Sequence, residues 1–187
     1  KILQNLYTKR RFGNATIVAE QVDRFSDWSN ELWHQCKGEY AMIAVRDSVT
    51  LNILDPKAKP RFIRLKVLEG NKTIGWSVVL DSQMRNHNYF ANMRVGSIVD
   101  CLALPENAAS VIRTATKYLE ARGVDLILSN QANRSWCLAL KESGYISGPS
   151  NYILATSKKL TELLDPFDAN KTDVHINRGD GDGPIHL

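Results

Sequence analysis

The chain has 187 residues, 43% hydrophobic and 24% charged, the proportions of one globular domain whose core needs no staples. Its 24 basic residues against 20 acidic ones leave a net charge of +4, too mild for a nucleic-acid-binding stripe, so no nucleic-acid partner is expected. Three cysteines (Cys36, Cys101 and Cys137) argue against a secreted disulfide framework and for a reducing, cytoplasmic setting. No apolar run approaches the roughly 20 residues of a membrane span.

The start at Lys1, without an apolar leader, is expected of a piece of a longer chain. Lys9, Arg10 and Arg11 form the one dense basic cluster, which reads as a tail or linker over residues 1–15. Residues 16–22 are rich in β-branched side chains and predict a strand. Ser26-Asp27 is a helix cap signal, followed by an apolar face of Trp28, Leu32, Trp33 and Cys36 and a stop at Gly38. A second helix is expected from Glu39 to Leu54 through Met42, Ile43, Val45, Val49 and Ile53, ended by Pro56 and Pro60. Phe62–Leu68 and Thr73–Leu80 read as two strands of a hairpin, with Gly70 and Asn71 available for positive φ. Residues 81–92 are polar and read as a loop.

Val95–Leu104 is nearly all apolar, as a central strand covered on both faces would be. Pro105 opens a helix to Arg122, with Val111, Ile112, Ala115, Tyr118 and Leu119 inward and Gly123 as its stop. Val124–Leu128 predicts a short buried strand. Asn133 caps a further helix that turns Trp136 and Leu140 inward and stops at Gly144. Tyr152–Thr156 and Asp173–Ile176 are the last strand candidates, before a Gly/Asp-rich, mobile tail over 179–187. A hairpin followed by alternating helices and strands gives an α/β (α+β) fold with a mixed central sheet flanked by helices.

That order, with Asn133 leading a helix to Gly144-Tyr145, resembles the GNAT acyl-CoA N-acyltransferases over residues 16–178. It is most similar to divergent domains found as one half of tandem chains, so a second such domain is an expected partner. The resemblance implies acyl transfer from acetyl-CoA or another acyl-CoA, as co-substrate, to an amine acceptor, with no metal. It implies a gap between the fourth and fifth strands where the pantetheine arm lies like an extra strand. It also implies a following helix whose N-terminus faces the pyrophosphate. Leu102 and Leu104 then lie beside pantetheine, and the N–H groups of Asn107, Ala108, Ala109 and Ser110 beside phosphate; Asn133 belongs to the same cofactor-binding set. The stretch Leu104-Pro-Glu-Asn-Ala-Ala-Ser110 departs from the family in having no glycine and one acid, Glu106. The tyrosine that many members use to protonate the thiolate falls at Leu140. An alternative from another class is therefore a non-catalytic GNAT-like scaffold or binding domain. An aminoacyl-tRNA-dependent transferase is a further one, for which tight RNA binding would be the discriminator.

Acylation of an amine needs a base, and Asp100 is the candidate, since burial in an apolar strand raises a carboxyl pKa. Period-two alternation puts Asp100 on one face with Leu102 and Leu104, and Cys101 on the other. A buried aspartate that merely ties the sheet together is the competing reading. Cys36, Cys101 and Cys137 read as small core residues, and the four histidines lack metal-ligand spacing. Arg46 reads as a helix-surface ion-pair partner or as a substrate contact. Arg178-Gly-Asp180 and Asp180-x-Asp182-Gly183 match too little of an adhesion loop or a calcium loop to carry either. Asp180 is expected near the strand gap if Val174–Ile176 forms the last strand.

Overall fold

A computed structural model describes residues 17–59, 61–148, 155–177 and 180. In chain order the strands are β1 (Ile17–Val22), β2 (Met42–Ile43), β3 (Ile63–Glu69), β4 (Lys72–Gln83), β5 (Arg94–Ala103), β6 (Leu126–Ser129) and β7 (Val174–His175). The helices are α1 (Asp27–Cys36), α2 (Ser48–Leu54), α3 (Ala108–Ala121), α4 (Arg134–Glu142), α5 (Lys158–Leu163) and α6 (Phe167–Asn170). The main sheet runs β1-β3-β4-β5-β6, antiparallel except for the parallel β5–β6 pair. β2 and β7 form a separate parallel pair. The mixed α/β architecture is the one the sequence predicts. Among the described residues no helix is long and apolar enough to cross a membrane.

The sheet carries a core on each face. Ile63, Leu65, Val67, Ile98, Cys101 and Ala103 pack under Val111, Ile112, Ala115 and Leu119 of α3 and Trp136 and Ala139 of α4. On the opposite face Trp76, Val78, Leu80 and Leu102 meet Phe25, Leu32, Cys36 and Leu51 from α1, α2 and their connections. Gly75 lets α3 sit this close, because a Cβ there would fall on Val111 and lie 2.9 Å from the Leu102 carbonyl. The β3–β4 hairpin turns at Gly70, whose φ of +59° suits a residue without a Cβ.

The expected helix over Glu39–Leu54 is shorter than its periodicity suggests. Met42 and Ile43 are taken into β2 by pairing with Val174 and His175. The helix starts only at Ser48, where the Asp47 carboxylate accepts the Thr50 N–H at 2.8 Å. Its orientation is then set by Asn52, which bonds both the N–H and the carbonyl of Phe25. In this setting Leu51 is buried, while Val45, Val49 and Ile53, expected inward, are 50%, 68% and 72% exposed. Periodicity read across the break assigned the wrong face.

The helix expected after Pro105 begins with a 3-10 turn, Pro105–Asn107, and its C-terminal Gly123 has φ +78°. β6 is shifted slightly past the expected Val124–Leu128 and is half-buried rather than buried. Cys137, expected on an apolar face, is exposed, because the inward positions of α4 are Trp136, Ala139 and Leu140. Asn133 caps α4 as expected, its Oδ1 accepting Ser135 N–H at 3.0 Å. Asn133→Ala should lower stability by about 1 kcal/mol, the usual worth of such a cap, in urea unfolding. α5 and α6 are short helices that the sequence pattern does not predict. Most of the strand expected over 152–156, the segment 1–15 and all of 179–187 except Asp180 lie outside the described residues.

Candidate functional site

β5 continues to Ala103, yet its pairing with β6 covers only Val95 to Ile98. At the last pair the Ser129 hydroxyl donates to the Ile98 carbonyl at 3.1 Å, and β6 then ends. Backbone groups alternate sides along a strand. With Ile98 facing β6 and a register shift at the following residue, Cys101 and Ala103 face the open edge. Asp100 and Leu102 face β4. Among the described residues no strand pairs with this edge beyond Ile98, and an extended ligand would meet the chain there.

Side chains from the rest of the domain converge there. His175 Nε2 lies 3.0 Å from the Cys101 carbonyl and so carries the proton that it donates. The Tyr40 hydroxyl donates to the Ala103 carbonyl at a long 3.3 Å. The His175 ring stacks on both Tyr40, at 5.1 Å, and Trp136, at 6.0 Å. Burial pushes the Tyr40 phenol well above its usual range, against a smaller downward pull from the Trp136 indole N–H. Burial likewise pushes His175 down, holding it neutral despite nearby Asp100.

Behind these rings sits a buried charged network. Arg46, from the β2–α2 connection, is fully buried and pairs with Asp100 Oδ2 through Nε at 2.8 Å. Its Nη2 pairs with Asp180 Oδ2 at 2.6 Å. The other Asp100 oxygen, Oδ1, accepts the Cys101 N–H at 2.9 Å and the Asn177 amide at 2.7 Å. Because the Cys101 N–H belongs to the open edge, the Asp100 carboxylate is curled onto that edge. Asp180 Oδ2 also accepts the Asn177 backbone N–H at 2.9 Å. Burial pushes the Asp100 carboxyl up, opposed by Arg46 and His175. At the end of α2, Asp55 is pushed up to about 7 by burial and then by the charge of Asp100. The Asp55 carbonyl takes two hydrogen bonds from Arg64, a buried arginine on β3.

The structure brings some of the expected residues together and separates others. Asp100 lies at the open edge and Cys101 on the opposite face, packed under α3, where burial raises its thiol well above the usual range. Leu102 is fully buried in the α1 core, with Leu104 packed partly against the same cluster. The backbone of Leu102 pairs with Trp76 in β4, so the edge positions are Cys101 and Ala103 instead. Of the expected phosphate-facing amides, Asn107 N–H is spent on the Leu104 carbonyl at 2.9 Å, and Ala108 N–H on Pro105. The 3-10 turn consumes them. Ala109 and Ser110 follow in the first turn of α3, half-buried. The Asn133 amide oxygen is engaged in capping α4. Arg46 is no surface ion pair, and Asp180, expected near the strand gap if the last strand formed at Val174–Ile176, is tied into the network.

Sequence reasoning did not single out Tyr40, Asp55, His175 or Asn177. The one usable signal was the strand at Val174–His175, which forms and carries Asn177 and Asp180 to Asp100. No local pattern marks Tyr40 or Asp55.

No protein-family model matches the chain, and no curated protein matches it. Solved structures do resemble it in fold. A GNAT family acetyltransferase from Staphylococcus aureus is 15% identical with a TM-score of 0.50, over 75% of this chain and 99% of that one. An aminoglycoside antibiotic 6′-N-acetyltransferase from Acinetobacter haemolyticus is 14% identical with a TM-score of 0.50, over 76% and 98%. An aminoglycoside acetyltransferase from an uncultured soil metagenomic sample, in complex with sisomicin, is 14% identical with a TM-score of 0.50, over 76% and 97%.

Proposed function

We propose, for a chain that has the GNAT acetyltransferase fold, that it transfers an acyl group from acyl-CoA to an amine acceptor. The observation that carries this reading is the open edge of β5, from Cys101 to Ala103, with the Asp100 carboxylate turned onto it. A pantetheine arm is an extended chain of amides and can pair with such an edge. On this reading the amine nitrogen attacks the thioester carbonyl, and Asp100 accepts the proton that the nitrogen loses. The Ala103 N–H, on the same edge, is the donor for the developing oxyanion. The C–S bond then breaks and the thiolate leaves with CoA. Cys101 and Ala103 carbonyls already hold His175 and Tyr40, so the arm exchanges these contacts for its own as it enters.

Calorimetric titration with acetyl-CoA should give a micromolar dissociation constant. Absence of heat, and of any thermal shift, at millimolar acetyl-CoA would overturn the reading. In an acyl-transfer assay Asp100→Asn should lower kcat by on the order of 10²–10⁴-fold, the usual contribution of a general base. Its acetyl-CoA affinity should stay within a few-fold of the wild type.

A second reading, a non-catalytic domain of the same fold, is favoured by Leu140 and by the spent amides of Asn107 and Ala108. It expects no turnover with any amine, with or without acetyl-CoA binding.

A further inference from the structure

We propose that Asn177 and Asp180 are positioning residues of the acyl-transfer site, which hold the Asp100 carboxylate on the open edge of β5 directly and through Arg46. The inference rests on the reading of Asp100 as proton acceptor. It rests on geometry that the reading does not use. Asn177 donates its side-chain amide to Asp100 Oδ1 at 2.7 Å and its backbone N–H to Asp180 at 2.9 Å. Asp180 in turn takes Arg46 Nη2, while Nε of the same guanidinium faces Asp100. One arginine is thus shared between two carboxylates, and one asparagine touches both. Asn177, just after β7, and Asp180, which falls in the stretch read as a tail, are both tied into the site.

The two residues act on Asp100 with opposite sign. Asn177 stabilises the charged carboxylate by a hydrogen bond, so its loss must raise the proton affinity of Asp100. Asp180 repels Asp100 and draws on the charge of Arg46, so its neutralisation must lower that affinity. Among the described residues, the other charged or titratable groups that reach Asp100 are Arg46 from the β2–α2 connection, His175 of β7, Tyr40, Asp55 at the end of α2, and the neighbouring Cys101 of β5. All of them are unchanged in both variants. A purely structural network would move the carboxyl titration in the same two directions, but no transfer rate would move with it.

The test is carbon NMR of protein labelled at aspartate carboxyls, titrated in pH, with Asp100→Asn used to assign the Asp100 signal. The Asp100 titration should move up by about one pH unit in Asn177→Ala and down by about one in Asp180→Asn, the size expected for one hydrogen bond or one nearby charge. The acid limb of the transfer rate should move with it, and Asp180→Glu should restore the wild-type position. If Asn177→Ala does not fold, Asn177→Ser serves in its place. Shifts of the same sign, or none in either variant, overturn the proposal. A wild type that neither binds nor turns over acetyl-CoA, beside opposite carboxyl shifts, would leave the network intact and sink its catalytic use; that outcome also overturns the proposal as stated.

Discussion

Arg46→Met should destabilise the protein by about 3–5 kcal/mol, the largest loss of any single substitution named here. Arg46 is fully buried and is the cation for both Asp100 and Asp180, whose side chains are 10% and 8% exposed. Methionine fills much of the same volume, so the loss reports on two carboxylates left in a low-dielectric interior rather than on a cavity. The Asp100 carboxyl, pushed up by burial, can relieve its share of the penalty by protonation. The loss should therefore shrink as pH falls from 7 towards 5 in urea unfolding. Arg46→Met combined with Asp100→Asn and Asp180→Asn should cost much less than the sum of the separate changes, because an uncharged network needs no cation. A loss below about 1 kcal/mol for Arg46→Met at pH 7 would contradict a buried network.

Asp55→Asn is expected to act in the opposite direction. The Asp55 carboxyl is pushed up to about 7 in the folded protein, by burial and by Asp100, whereas an aspartate in an unfolded chain titrates near 3.9. The folded state thus binds its proton more tightly than the unfolded state. Stability from this group is fully present below about pH 4 and is lost as pH rises through about 7. Above that, ionising the buried carboxyl costs up to about 4 kcal/mol at 1.36 kcal/mol per pH unit. Asparagine keeps the shape and the backbone carbonyl that Arg64 uses and carries no such cost. Melting at pH 8 should accordingly show a stabilised variant, by several degrees, with the gain fading towards pH 4. An equal gain at both pH values would mean that something other than the Asp55 charge is responsible.

The order β1, α1, β3, β4, β5, α3, β6, α4 follows from local patterns, and so do the stops at Gly123 and Gly144, both at positive φ. The Asn133 cap and the inward stripe of α3 are equally local. Each depends on the backbone geometry of a few neighbouring residues, which sequence reports directly. Asp100 also stood out, since an acid in an apolar strand is costly wherever it is buried. The face assigned to residues 39–54 failed for the opposite reason. There a long-range pairing of β2 with β7 interrupts the helix, and Asn52 sets the direction of what remains.

What the sequence by itself determined was the α/β class, the antiparallel-then-parallel sheet and the strand on which a buried acid lies. Only the tertiary structure decided what surrounds that acid. Arg46 and Asn177 meet Asp100, and Arg46 meets Asp180, across separations of up to 134 residues along the chain, and no period or spacing encodes a contact of that range. Burying a carboxylate requires a partner, but any arginine in the chain could have supplied it. The folding back of β7 along β2 selects Arg46, and the same movement brings His175 to the Cys101 carbonyl.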